Sequence, residues 1–256
     1  MKIRVPHSPK VRCARLGIVP AAACFAIAGM LSGAAAAADD KRDLEGIWEV
    51  RYAPASLEAH SADAGIRAGE SVIVDPADGR IPYKPEARAK QEQNYKNRAT
   101  ADPVSKCYLP GVPRITYMPF PFQIFQTPTD FAITYEYVHA SRTIHMAKQE
   151  HLPDIDFWMG DSRGKWDGNT LVVDVADNNA MPWLDASGNY HSDALHVVER
   201  YTKTSPDTMT YEATIEDPKV FTRPWTIRLQ LYRHTEKNAE LYEYECHVYK
   251  ENAGAH

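Results

Sequence analysis

From about residue 129 onward, apolar and polar residues alternate in short runs separated by turn signals. "DFAITYEYV" breaks at "HAS" before "RTIHM", and "DFWMGDSRGKW" breaks at Asp-Gly before "NTLVVDVA". "ALHVVERYTKT" breaks near "SPD" before "TMTYEATIED", and "PWTIRLQLYRH" breaks at "TEKN" before "AELYEYECHVYK". A period of two with regular turns predicts an antiparallel meander, closed as a barrel or stacked as a sandwich. Earlier, "LEGIWEVRY" alternates around Ile47 and Trp48 as an opening strand, and "SVIVDPADGRIPY" reads as strand, Asp-Gly turn, strand. The one stretch with helix-forming composition is "KPEARAKQEQNYKNRA", residues 84 to 99, with Pro85 in its first turn and mostly polar faces. It predicts a surface helix. Residues 102 to 128 carry too many prolines for a central strand and too many aromatics for a solvated loop. They predict an ordered wrapping segment with a short strand at Gln123 to Gln126.

The first residues follow another rule. "MKIRVPHSPKVRCAR" holds five basic residues and no acid, a short apolar run follows, and "SGAAAAADD" ends it. This is the pattern of a secretory signal peptide, with cleavage expected after Ala38. The remainder, 39 to 256, is expected to form a single β-barrel domain, periplasmic or secreted, with no membrane attachment after cleavage. The chain carries 29 Lys and Arg against 34 Asp and Glu, and the five basic residues of the leader would be lost. The acidic balance that remains argues against a nucleic-acid partner. Of the four cysteines, Cys13 and Cys24 lie in the leader. Cys107 and Cys246 remain, and an even pair in an oxidising compartment predicts a disulfide.

"CYLPGVPR", "PFPFQIFQTP", "YEY", "WMGDSRGKWDGNTLVVD", "WLDASGNYHSDALHVVERY" and "TIEDPKVFTRPWT" occur in that order between about residues 102 and 228. In these motifs the chain resembles a group of exported, mostly uncharacterised bacterial proteins from organisms that degrade aromatic and plant-derived compounds. The resemblance implies a lipocalin-like barrel and carries no mechanism with it. It departs from the group's pattern at "HMAKQEHLPD", where many members have an Asp-Gly-Arg turn followed by His-Pro; His151 holds the place of that His.

Candidate chemistry begins with "HSDALHVVERYTKT". On a strand, Leu195, Val197, Glu199 and Tyr201 share one face, so a carboxylate interrupts an apolar row. If that row faces inward, Glu199 needs a cation or donors. Arg142, on a face with Ile144 and Met146, is the candidate partner. The pair reads either as a structural ion pair or as a site that holds a polar substrate group or moves a proton. His191 with Asp193 is the candidate acid/base pair, since a carboxylate can orient a His ring for proton transfer near neutral pH. Asp185 and His196 lie close in sequence. Tyr135, Trp158 and Trp183, with His196, are candidate substrate-binding residues, although most aromatics here serve equally as core. No H-x-H or H-E-x-x-H cluster occurs, so no metal is expected. Gly160-Asp161-Ser162-Arg163-Gly164 matches a nucleophile-elbow string, but a hairpin follows it instead of a helix. No nucleotide or flavin motif occurs, so no cofactor is expected. The sequence therefore points first to a cofactor-independent lyase, isomerase or hydratase acting on a small hydrophobic, aromatic, plant-derived compound. A carrier barrel that binds such a molecule unchanged is the alternative.

Overall fold

The computed structural model describes residues 40–58, 71–152 and 154–248. The expected signal peptide, with Cys13 and Cys24, lies outside these residues.

The expectation of an all-β closed barrel holds. Nine strands close the wall: β1 (Gly46–Val50), β3 (Phe122–Gln126), β4 (Asp130–Tyr135), β5 (Ser141–His145), β6 (Asp161–Asp167), β7 (Thr170–Ala176), β8 (His196–Ser205), β9 (Thr208–Glu216) and β10 (Trp225–Arg233). Short β2 (Ile73–Asp75) adds to β10 where β1 no longer covers it. Closure leaves the nine-stranded wall without a long free edge, which removes a route to aggregation.

One departure from the expected meander follows from parity. A closed ring with an odd number of strands cannot alternate direction throughout. Here β5 and β6 run parallel, with Ile144 opposite Ser162 and His145 opposite Arg163, while the other neighbours in the wall are antiparallel. Parallel neighbours need a crossover of a dozen or so residues, and residues 146–160 supply it. The seam is tight enough to require glycine: a Cβ on Gly164 would come within 2.5 Å of the Met146 sulfur and 2.7 Å of Ile144 Cγ2.

The antiparallel order gives the barrel two unlike ends. Tight connections at 127–129, 168–169 and 206–207 lie at one end. The segment 40–45 covers it, with Trp48 Nε1 donating to the Leu44 carbonyl (2.9 Å) and Lys203 Nζ to that of Asp40 (3.1 Å). The connections 51–121, 136–140, 177–195 and 217–224 leave from the other end, to which the crossover 146–160 returns.

Inside, the period of two does its expected work. Val197, Glu199, Tyr201 and Lys203 of β8 are buried, as are Met209, Tyr211, Ala213 and Ile215 of β9 and Trp225, Ile227, Leu229 and Leu231 of β10. Burying each large apolar side chain contributes roughly 1.5–3 kcal/mol, so this lining is the main stabilising term. Ile215→Ala, at 0% exposure, should cost about 2–5 kcal/mol.

Helix α1 (Pro85–Lys96) is shorter than expected, because a break at Asn97 separates it from a short turn, Arg98–Ala101. It lies on the surface but docks through Gln91, which donates to the Ser187 carbonyl (2.9 Å), and Asn94, which donates to that of Gly188 (3.1 Å). Gly188 has φ +80°, and a Cβ there would meet Asn94 and the Tyr95 amide at 2.7–2.9 Å. The proline-rich segment forms two 3₁₀ turns, Pro103–Lys106 and Arg114–Tyr117, before β3. Two expected strands are corrected. After the Asp-Gly turn, the chain makes only an isolated bridge, Tyr83 to Phe221. Among its described residues, "AELYEYECHVYK" contributes only the bridge of Tyr244 to Tyr137 and a helical turn at 246–248. The Cys107–Cys246 disulfide is present, with Cα atoms 5.6 Å apart across 139 positions. It holds that last segment against the mouth in place of strand pairing.

Candidate ligand-binding site

Glu199 lies at 0% exposure between Val173 of β7 and Ala213 of β9. Its partners come from three other positions on the inner wall. Arg142 Nη2 donates to Oε2, while Tyr201 Oη (3.1 Å) and Tyr211 Oη (2.8 Å) both donate to Oε1. Arg142 Nε in turn donates to Ser162 Oγ at 2.8 Å, across the parallel seam. The expected Arg142–Glu199 pair is therefore formed, and Tyr211 and Ser162 complete it. The alternation "TMTYEATI" already places Tyr211 on an inward row; Ser162 carried no signal, since its contact depends on the seam.

The electrostatics fix the protonation states. Burial is the largest influence on Arg142 and opposes its charge, but Glu199 together with Tyr135 and Tyr201 outweighs it and holds the guanidinium above its usual range. Burial, then the charge of Glu199, raises the phenols of Tyr201 and Tyr211 well above their ordinary value. Burial pushes Tyr135 up to about 12. Around Glu199, the Arg142 guanidinium and the phenols of Tyr201 and Tyr211 are thus held protonated: a set of fixed donors rather than a proton relay. Three buried polar atoms nevertheless lack a well-formed hydrogen bond: Arg142 Nη1, Tyr135 Oη and Thr116 Oγ1. Thr116 lies on the buried 3₁₀ turn Arg114–Tyr117, against Tyr135 and Tyr201.

The same turn floors a cavity of about 520 Å³ at the loop end. Tyr117 and Arg114 face it, with Met118, Phe120, Tyr137 and Tyr244 among its walls and Cys246 at its edge. Phe120 and Tyr244 pack with ring centroids 4.6 Å apart. Neither floor residue offers a free polar head. Arg114 is held bidentately by Asp102 (2.9 and 2.7 Å), and Tyr117 Oη donates to the Leu184 carbonyl at 2.7 Å. Burial raises the Tyr117 phenol well above its ordinary value. The cavity is thus an apolar, aromatic-walled space over a neutralised floor. No part of the sequence reading located it, because its walls come from four separate loops.

The remaining candidates do not converge there. His191 is buried (2% exposed), with Nδ1 against the Ser192 carbonyl at 2.8 Å. Burial lowers its pKa, so the ring is neutral. Asp193 points to solvent and pairs with Lys219 (2.6 Å). The expected His191–Asp193 acid/base pair is not assembled, because the loop spends each side chain on a local contact. Asp185 is buried and organises the same loop, accepting from the amides of Leu57, Ser187 and Asn189. His196 lies on the outer face of β8 and pairs with Asp174 (2.6 Å), away from the row of Glu199. Trp183 is core, in an isolated bridge with Tyr190. Trp158 packs on Tyr108 and lines a second cavity, about 480 Å³, beside the crossover. Tyr135 alone among the expected aromatic contacts belongs to the Arg142–Glu199 cluster.

A comparison of the chain with models of known protein families gives no match, and neither does a comparison with curated proteins.

Proposed function

We propose that the protein is an exported barrel that binds a small, flat, hydrophobic molecule in its mouth cavity and leaves it chemically unchanged. The observation that carries this reading is the cavity itself. Its volume of about 520 Å³ falls within the range of roughly 300–1,000 Å³ typical of small-molecule pockets. Its aromatic walls favour a ring system, and its salt-bridged floor presents no acid or base. Export is supported by the leader pattern and by the Cys107–Cys246 bridge. Among the described residues, no helix is long and apolar enough to cross a membrane. The motif resemblance to proteins of organisms that degrade plant-derived aromatics is consistent with such a ligand.

A second reading keeps the enzyme. It is favoured by the neighbouring donors Arg142 Nη1 and Tyr135 Oη, which lie buried without a well-formed hydrogen bond. Donors of this kind hold an oxygen on which charge develops, as in a lyase, isomerase or hydratase acting on a carbonyl or phenol.

One experiment separates the readings. The purified protein is incubated with a panel of plant-derived aromatics, without added cofactor. Binding is followed by protein fluorescence and ligand fate by mass spectrometry. Saturable binding with unchanged mass, weakened at least about tenfold in Tyr137→Ala, supports the carrier. Turnover that disappears in Tyr135→Phe overturns it in favour of the enzyme. Absence of saturable binding across the panel overturns both.

A further inference from the structure

The crossover ends beside a cluster that the mouth cavity does not use. Asp161 opens β6 and pairs with Ala176, the last residue of β7, so Asp177 falls next to it. The crossover then brings in His151, and Phe157 pins the loop by donating its amide to the Asp177 carbonyl at 2.8 Å. Ligand-capable atoms of His151, Asp161 and Asp177 all lie within 4.8 Å of one another. His151 Nδ1 is 3.0 Å from Asp161 Oδ2.

Three further features distinguish this group from an ordinary surface ion pair. First, Asp177 Oδ2 is buried with no hydrogen-bond partner. An orphaned carboxylate oxygen is costly unless a cation meets it. Second, Asp161 is held in place. Arg163 donates to its Oδ2 from Nε (2.8 Å) and Nη2 (2.7 Å), and the Leu152 amide adds a third bond at 3.3 Å. All three fall on one oxygen, which leaves Oδ1 for another partner. Third, the far nitrogen of His151, Nε2, faces Asp174 Oδ1 at 3.4 Å, and Asp174 also takes His196 Nε2 at 2.6 Å. A carboxylate behind the imidazole is the usual outer partner of a metal-bound His.

We propose that His151, Asp161 and Asp177 bind one divalent transition-metal ion, with zinc as the best match. Ligation would use His151 Nδ1 and one oxygen from each carboxylate, while Asp174 orients the ring. Metal–ligand bonds of about 2.0–2.2 Å set tetrahedral ligands roughly 3.3–3.5 Å apart, so from separations within 4.8 Å the side chains close on the ion by up to about 1.5 Å. Calcium prefers six to eight oxygens and magnesium keeps most of its water, which disfavours both at a set containing imidazole. Three protein ligands leave a fourth position open. Asp161 also lines the cavity of about 480 Å³ beside Trp158, so an oxygen-bearing molecule there has a path to the ion.

The test is calorimetric titration of the chelator-treated protein with zinc chloride, paired with the visible spectrum of the cobalt(II) form. The expected result is one ion per chain and tetrahedral cobalt bands. Asp174→Asn should weaken binding about 10–100-fold, and Asp177→Asn at least as much. Asn tolerates the left-handed backbone at that position (φ +56°), so Asp177→Asn should fold, as an unchanged melting curve without metal would verify. His151→Ala should abolish saturable binding, while His139→Ala, in the exposed group with Glu243 and Glu245, should leave it unchanged. Wild-type protein without saturable zinc binding overturns the proposal, as does binding that survives both His151→Ala and Asp177→Asn.

Discussion

Two ion pairs on the same barrel differ in everything except their chemistry. Arg142–Glu199 lies inside the wall with side chains 2% and 0% exposed, while Lys219–Asp193 lies at the loop rim at 60% and 55%. Inside, each charge has lost its water and depends on its partner, so removing one strands the other. At the rim, water replaces either partner at once. Asp193 has its pKa lowered by the Lys219 hydrogen bond and charge, yet that shift reports a solvated contact and not a device. Proximity in sequence to a histidine made Asp193 look chemical; burial makes Glu199 so.

The sharpest way to break this contrast is Glu199→Gln, which leaves Arg142 buried without a counter-charge. It should lower unfolding stability by roughly 3–5 kcal/mol in a denaturant titration. A double change, Arg142→Met with Glu199→Met, should recover part of that loss, because it removes the stranded charge but leaves the Tyr201 and Tyr211 hydroxyls without their acceptor. A single Glu199→Gln change without effect would put the pair in the same class as the rim.

The rim depends instead on a covalent tie. Cys107→Ser with Cys246→Ser should cost about 2–4 kcal/mol. It should also loosen Tyr244 from the mouth, read as weaker ligand fluorescence changes at the cavity.

A smaller effect concerns pH at His191. Burial depresses its folded pKa below the ordinary 6.5. Between the folded pKa and about 6.5 the unfolded chain binds more protons, so stability should fall as pH drops through that window and level off above it. His191→Asn should flatten the slope there, measured by melting temperature across pH 5 to pH 8. Asp217 and Lys90 are the charged groups whose fields reach the ring, the first favouring its charge and the second opposing it. The smallest effect is expected from Lys219→Ala, which should leave the denaturation midpoint where it is.

Legibility of the site followed the same division. The inward row Leu195, Val197, Glu199 and Tyr201 was readable, because alternation on a strand is a local property and an interrupted apolar row marks its own exception. Arg142 stood out for the same reason, beside Ile144. His191 and Asp193 misled, because spacing along a loop says little about direction: Ser192 takes the Asp217 carboxylate (2.9 Å from its Oγ), and its neighbours turn to opposite environments. The mouth cavity and the His151–Asp161–Asp177 group were illegible, since each is assembled from segments that approach only after the wall closes.

By itself, the sequence determined that strands alternate, that Glu199 shares one face with Leu195, Val197 and Tyr201, and that Cys107 has Cys246 as its candidate partner. These follow from period, composition and parity, which act over a few residues or over the whole chain at once. Only the tertiary structure decided that Arg142 reaches Glu199, that β5 and β6 run parallel, and that the proline-rich turn separates an apolar cavity from a charged core. Those outcomes depend on ring closure: nine strands force one parallel seam, the seam forces a crossover, and the crossover decides which distant side chains meet.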